Sequence, residues 1–191
     1  MKTPRRYPEE PVGPFEPPPR AITDGEGRRI DLRRFGAGPV EDSDRAALAR
    51  MYDRFDPADR AQGIPPSNAP AVRDWLDTLL DDDGVNVLAW DGETVAGHAV
   101  LVPDRDEGYE LAIFVHQDYQ GAGIGTALVE ALLGVGAADG VDRVWLTVER
   151  WNRAAVSLYK GVGFETTNAG SFELEMAARL ADPTAGEGDE A

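Results

Sequence analysis

From Tyr109 to Thr126 the chain reads YELAIFVHQDYQGAGIGT, an apolar strand that empties into a glycine-rich loop and then a helix. Glycines at 121, 123 and 125 permit the sharp turning and close backbone approach that a bound ligand demands. The first-turn amides of the helix that follows have no partner within it, and together with the helix dipole they favour an anion. Such a stretch is suited to holding phosphates. A P-loop would need Lys followed by Ser or Thr after its last glycine, and this stretch contains no Lys. The dinucleotide fingerprint G-x-G-x-x-G is nearer, with Glu149 standing where a ribose-binding acid would. Yet the string is G-x-G-x-G, Thr126 takes the third glycine's place, and too little chain follows Glu149 to complete a doubly wound sheet. A glycine-rich turn that binds nothing is the plain alternative.

Other chemistries have less to work with. The chain has no Cys, hence no disulfide, cysteine nucleophile or thiolate metal site, and its two His leave little for a histidine-based one, so no metal is expected. Asp81, Asp82 and Asp83 read as a solvated helix end, because Ca²⁺ loops spread their ligands over a longer turn. His98, inside a strand, reads as a structural hydrogen-bonding residue.

The elements that must position the loop follow from periodicity. Leu111 to Val115 suits a central strand buried on both faces. Arg29 to Phe35 alternates like a first strand, broken by Gly36 to Pro39. Asp42 or Ser43 can cap a helix through about Phe55, carrying Ala47, Leu48, Met51, Tyr52 and Phe55 at helical spacing. A second helix spans Ala69 to Asp82. Val85 to Trp90 and Thr94 to Val102, joined by Asp91-Gly92, form a hairpin. Beyond the glycine loop come a helix from Thr126, a buried strand from Val144 to Val148, a helix from Asn152 to Val162, and a final antiparallel pair at 164–167 and 172–176.

Gln120-x-x-Gly123-x-Gly125 resembles the Q/R-x-x-G-x-G/A motif of the GNAT superfamily of N-acetyltransferases. A second block, Val144-Trp-Leu-Thr-Val148 followed by Asn152, Ala155, Leu158-Tyr159 and Gly163-Phe164, is similar to the family's fifth strand and N-x-x-A-x-x-L-Y-x-x-x-G-F helix. Both blocks stand in the family's order and spacing, and the resemblance extends from about Arg28 to Ala178. It implies an α/β (α+β) fold whose mixed, mostly antiparallel central sheet is splayed at its fourth and fifth strands and flanked by helices. It implies acetyl-CoA as cosubstrate, bound by Phe114, Val115, Gln120, Gly121, Ala122, Gly123, Ile124, Gly125, Thr126, Asn152 and Tyr159. The pantetheine arm would fill the wedge between Ile113–Val115 and Leu146–Val148, and the amide near Val115 would polarise the thioester carbonyl. The acceptor, a primary amine on a small molecule or a protein, would attack directly in a ternary complex, which requires no nucleophilic side chain. Tyr159 matches the family tyrosine near the sulfur, a proton donor to the departing thiolate. Glu110, the sole carboxylate within the central strand, is the candidate base, with Glu149 or a water chain as alternatives. Arg150, Arg153 and Lys160 could supply local positive potential or form ordinary ion pairs. A reading of another class is an acetyl-CoA-binding sensor or scaffold without turnover.

A formal net charge of -16 and a pI near 4.4 argue against nonspecific binding to nucleic acid or an anionic membrane. No window approaches a transmembrane length and the N-terminus lacks a signal-peptide apolar core, so a cytoplasmic monomer or homodimer is expected. Lys2 and Lys160 are the only lysines and Asp outnumbers Glu, a surface suited to high salt. The thermal midpoint should accordingly rise between about 0.1 M and 2 M KCl, and an unchanged midpoint would contradict salt adaptation. Residues 1–27, with Pro17-Pro18-Pro19, read as a disordered or extended arm that Tyr7 and Phe15 could anchor. Residues 28–181 form the N-acetyltransferase domain, and 182–191 an acidic tail.

Overall fold

A computed structural model describes residues 4–37, 41–60, 64–81 and 83–184. The hairpin read from Asp91-Gly92 is β4 (Val85–Asp91) and β5 (Thr94–Pro103), and Gly92 adopts the positive φ of 59° that this turn needs. Next to β5 lies β6 (Tyr109–Val115), antiparallel to it, and β6 in turn meets β7 (Arg143–Glu149) in parallel. On the far side of β4 comes β3 (Arg29–Arg34); beyond β7 comes β9 (Glu173–Leu180), with β8 (Glu165–Ala169) paired to it off the main path. Two helices, α1 (Glu41–Asp53) and α2 (Ala69–Asp81), lie between β3 and β4 in sequence; α3 (Ile124–Ala138) links β6 to β7, and α4 (Arg153–Val162) links β7 to β8. This is the mixed, mostly antiparallel α/β sheet that the motifs implied, with the β6–β7 crossover carried by the glycine loop and α3. The Asp81–Asp83 triplet lies partly, and residues 185–191 of the acidic tail entirely, outside the described residues.

Each face of the sheet has its own core. Leu111, Ile113 and Val115 belong to the side covered by α3 and α4, where Leu128, Leu132, Leu146, Tyr159 and Phe164 pack. On the other side α1 and α2 close over Leu88, Trp90 and Val95 with Tyr52, Phe55, Leu76 and Trp75. Phe114 joins that second cluster, edge-on to Tyr52 and Trp75 at 5.7 and 5.6 Å. The central strand is less buried than its apolar run suggested: only Leu111 is fully enclosed, and Ala112 to Val115 are half-buried.

The N-terminal stretch does not stand apart from the domain. It adds two strands, β1 (Pro11–Val12), parallel to β9 at one edge of the sheet, and β2 (Arg20–Thr23), antiparallel to β3 at the other. Between them it crosses α3 so closely that a Cβ on Gly134 would lie 2.8 Å from the Pro17 nitrogen. A Cβ on Gly163 would likewise stand 2.5 Å from Val12 Cγ1. The sheet therefore begins well before the boundary expected at residue 28. Prolines bar this stretch from a central strand but not from a sheet edge or a helix surface, and Val12, Phe15 and Ile22 supply apolar anchors.

A buried polar chain ties α1 and α2 to the sheet. The Tyr52 hydroxyl donates to His98 Nδ1 at 2.7 Å, His98 Nε2 donates to Asn86 Oδ1 at 2.7 Å, and Asn86 Nδ2 donates to the Leu79 carbonyl at 3.1 Å. The tautomer follows from the carbonyl at one end and the carbonyl-bound amide beyond it. Burial lowers the His98 pKa from 6.5 to about 3, so the ring is neutral, as its structural role requires. Since the folded value lies below the unfolded one, protonation favours the unfolded chain. Stability linked to this residue is whole above about 6.5 and falls toward pH 3, at up to roughly 1.4 kcal/mol per unit. A His98→Leu variant should be less stable at neutral pH, because Tyr52 and Asn86 lose a partner, yet show a shallower loss between about pH 7 and pH 5 in chemical denaturation. Equal slopes would contradict this account.

Candidate active site

Where β6 ends, the chain makes a tight loop before α3. Gly121 and Gly123 hold φ of 73° and 86°, conformations costly for other residues, and nothing lies within 4 Å of a Cβ built on either, so turning and not crowding demands glycine. Gly125 differs: its Cβ would stand 3.0 Å from Leu158 Cδ1, so it lets α3 and α4 pack closely. Gly123 is the N-cap of α3 and supplies no side-chain cap, which leaves the amides of Ile124, Gly125 and Thr126 as donors at the positive end of a 15-residue helix. Gln120 braces the loop, its Nε2 donating to the Val115 carbonyl at 3.0 Å and to Asp59 at 2.9 Å. Gln117 and His116 bond the Arg54 carbonyl, so the end of α1 holds the loop from below. Ala122 and Ile124 are buried anchors, and the Gly25 amide donates to the Ala122 carbonyl at 2.9 Å.

The second half of the site is a fork in the sheet. Strands β6 and β7 pair only at Tyr109–Val144 and Glu110–Trp145, after which both run on without pairing to each other. The His116 amide donates to the Ala96 carbonyl, so by antiparallel alternation Ile113 and Val115 turn their main-chain groups away from β5 and toward the fork. Phe114 is placed otherwise than expected for a cofactor contact. Its main chain faces β5 and its ring fills the second core, because side chains and amides alternate along a strand.

Tyr159 lies within α4 and Asn152 stands at its N-cap. Asn152 caps that helix, its Oδ1 accepting from the Ala155 amide at 3.2 Å. Tyr159 is 7% exposed and packs edge-on to Phe164 at 5.9 Å; burial pushes its phenol well above the ordinary value, so it stays protonated. Arg150 donates to the Gly170 carbonyl at 3.0 Å, and neither it nor Arg153 nor Lys160 makes an ion pair among the described residues.

Glu110 does not join this group. It sits at the closed end of the fork, about 17 Å along β6 from Val115 by strand rise, and on the face opposite α3. Its side chain is exposed, because no helix of the second layer reaches this end of β6, yet it keeps the desolvation read from its place in the strand. Partial desolvation still raises its carboxyl pKa, with Asp104 adding to the shift and Arg5 opposing it. On the same face Thr147 is exposed in mid-strand, and at the open end Glu149, Trp151, Gly170, Ser171, Phe172 and Glu173 line a cleft of about 380 Å³. Trp151 and Phe172 stand 62% and 72% exposed. Sequence reasoning gave neither ring a role: Trp151 lies in a polar loop, and Phe172 read as the start of the last strand, which begins one residue later. Among the described residues no cluster of three or more metal-ligating side chains occurs, and no helix is long and apolar enough to cross a membrane.

The chain is similar to known proteins in sequence and in fold. Mycothiol acetyltransferases from Beutenbergia cavernae and Nocardiopsis dassonvillei are 34% and 32% identical over 70% and 82% of the chain, which covers 44% and 49% of theirs. The chain thus spans about half the length of these curated relatives. Among solved structures, the GNAT domain of PAT from S. lividans superposes with a TM-score of 0.67 at 18% identity, over 84% of this chain and 96% of that one. The phosphinothricin acetyltransferase from Sinorhizobium meliloti, solved in complex with AcCoA, gives 0.62 at 19%, over 86% and 92%. The acetyltransferase (GNAT) family model matches residues 47–164, which take in the second half of α1, the forked strands, the glycine loop and the Tyr159 helix, and the chain belongs to that family.

Proposed function

We propose that the chain is an acetyl-CoA-dependent N-acetyltransferase whose acceptor is a primary amine. The observation that carries this reading is the fork: main-chain donors of Ile113 and Val115 face an unpaired stretch of sheet whose far end is a helix N-terminus with no side-chain cap. Acetyl-CoA supplies an activated thioester, and the groups here fit it. The amides of Ile124, Gly125 and Thr126 take its phosphates, the Val115 amide polarises the acyl oxygen, and the Asn152 amide group steadies the cofactor. Because α3 and α4 occupy one face, the acceptor must approach from the other, which bears Glu110, Thr147 and Glu149. Glu110 through a water chain, or Glu149 nearer the open end, takes a proton from the acceptor's ammonium so that the neutral amine attacks, and Tyr159 offers one to the departing thiolate from within the fork. The relatives' names include a mycothiol acetyltransferase and, at 39% identity over 37% of the chain, an Escherichia coli ribosomal protein bS18 alanine N-acetyltransferase, so both small and protein amines stand as acceptors. A cytoplasmic, salt-adapted setting accords with the acidic surface.

Incubation with acetyl-CoA and an amine panel in high salt, with detection of free thiol, tests the reading; binding without thiol release on any amine would favour a sensor. The role of Glu110 is checked by its pH profile. Glu110→Gln should lower turnover more at neutral than at alkaline pH, because a base matters least once the amine is already neutral. A uniform loss across pH would make Glu110 structural and shift the role to Glu149.

A further inference from the structure

Arg5, in the N-terminal stretch, lies on the acceptor face. Before β1 the chain passes around the β9 edge and sets Arg5 flat over the Trp145 ring, 3.4 Å from its centroid. Arg5 Nη1 lies 3.2 Å from Asp104 Oδ2, and Nε lies 3.2 Å from Glu175 Oε2. Each partner is itself fixed. Trp145 Nε1 donates to the same Asp104 oxygen at 2.7 Å, the Asp106 and Gly108 amides donate to the other, and the Thr167 hydroxyl donates to Glu175 Oε1. Tyr7 is seated against Gly108, where a Cβ would stand 2.5 Å from its hydroxyl. With its side chain 12% exposed, Arg5 is part of the domain and not a passing surface contact.

Its place in the sheet gives it consequence. Trp145 partners Glu110 on the last rung before the strands part, and residues so paired project to one face. Glu175 is opposite Thr147 on the same face. Arg5 therefore stands at the closed end of the fork, beside Glu110, while the cleft lined by Trp151 and Phe172 opens at the other end. Without it, an aromatic ring and two carboxylates would form a ready seat for a cation. With it, that seat holds the chain's own guanidinium.

We infer that Arg5 is a specificity-determining residue that closes the acceptor face to dicationic amines, by filling the Trp145–Asp104–Glu175 seat that a second ammonium would otherwise occupy. The inference rests on the acceptor face proposed above. It excludes polyamine-like acceptors and leaves monoamines, whose uncharged ends extend toward the aromatic cleft.

The test is binding of 10-aminodecan-1-ol and 1,10-diaminodecane, and of 12-aminododecan-1-ol and 1,12-diaminododecane, long enough to reach from the Val115 end of the fork to the seat, to the full chain loaded with coenzyme A, followed by calorimetry so that turnover is not needed. In the parental protein each monoamine should bind at least as tightly as its diamine. Arg5→Ala should shift the ratio toward the diamine by about tenfold or more, and Arg5→Lys should keep the parental ratio. If the Ala variant does not fold, Arg5→Met retains the stem over Trp145 while removing the charge, and the same shift is expected. An unchanged ratio in a folded variant that binds both amines overturns the inference. If coenzyme A binds but no amine binds to any variant, the acceptor-face assignment fails and the role of Arg5 fails with it; amine-dependent thiol release with an unchanged ratio removes only the role of Arg5.

Discussion

Gly123→Asp should abolish acetyl-CoA binding and leave the fold largely intact. The space around Gly123 gives the first half of that expectation: no atom lies within 4 Å of an added Cβ, so the side chain meets no neighbour. The φ of 86° imposes some strain, but Asp is among the residues that tolerate the left-handed region best. Asp is also a favourable N-cap, so its carboxylate would turn onto the very amides of α3 that Gly123 leaves uncapped. Those amides are then occupied, and a negative charge stands where the pyrophosphate must lie; the capping that steadies the helix is what excludes the ligand. Gly123→Ala separates charge from strain, since it adds a methyl group and no anion, and its affinity should lie between parent and Asp. Calorimetry with acetyl-CoA, alongside thermal midpoints, makes the check. Affinity unchanged in Gly123→Asp would end the phosphate reading of the loop.

The same loop shows why the fold and half the site were legible in the sequence. A strand of apolar residues, glycines at required turns and a helix with one apolar side are local patterns, and the elements from β4 to α4 begin within a residue or two of where periodicity puts them, although α3 runs five residues past Leu133. The fork itself left no local mark. Ala112 to Val115 read as fully buried because sequence records that a strand is apolar, not whether its neighbour is paired along its whole length; that depends on the divergence of β7, whose own residues read equally apolar. Phe114 and Val115 are adjacent in sequence, and only register against β5 shows that one faces the core and the other the fork. The N-terminal stretch was legible only as an alternative, that Tyr7 and Phe15 could anchor it along the domain, and for another reason. Proline-rich composition describes what a segment cannot do by itself, and the features that seat it, Gly108, Gly134 and Gly163, lie from about one hundred to one hundred and fifty residues downstream. Arg5 on Trp145 could not have been read from either end of that separation.

Tyr159→Phe should slow the chemical step by roughly 10²–10⁴-fold while nearly preserving cofactor affinity. Packing and chemistry make opposite forecasts for this one change. The ring is 7% exposed among Phe164 and the residues of the α3–α4 core, and Phe keeps that ring and nearly all its buried area, so a purely structural tyrosine would lose little stability and little rate. A proton donor loses everything with the hydroxyl. The raised pKa sharpens the expectation, for burial keeps the phenol protonated past its ordinary titration range, and the donor is therefore present at every pH where the amine is reactive. No alkaline loss of rate should trace to Tyr159, and any such limb should persist in the Phe variant. The same shift makes the phenol a reluctant acid, so its contribution depends on the thiolate's negative charge developing within hydrogen-bond reach in the low-dielectric fork, where transfer relieves an unsolvated anion. Coenzyme A is a fair leaving group, which places the loss toward the lower end of the range and allows slow product release to mask it in steady-state rates. Single-turnover transfer from acetyl-CoA avoids that masking. A Phe variant that transfers acetyl at the parental single-turnover rate would remove Tyr159 from the mechanism, leave it as core, and require that the thiolate depart unprotonated or take its proton from water.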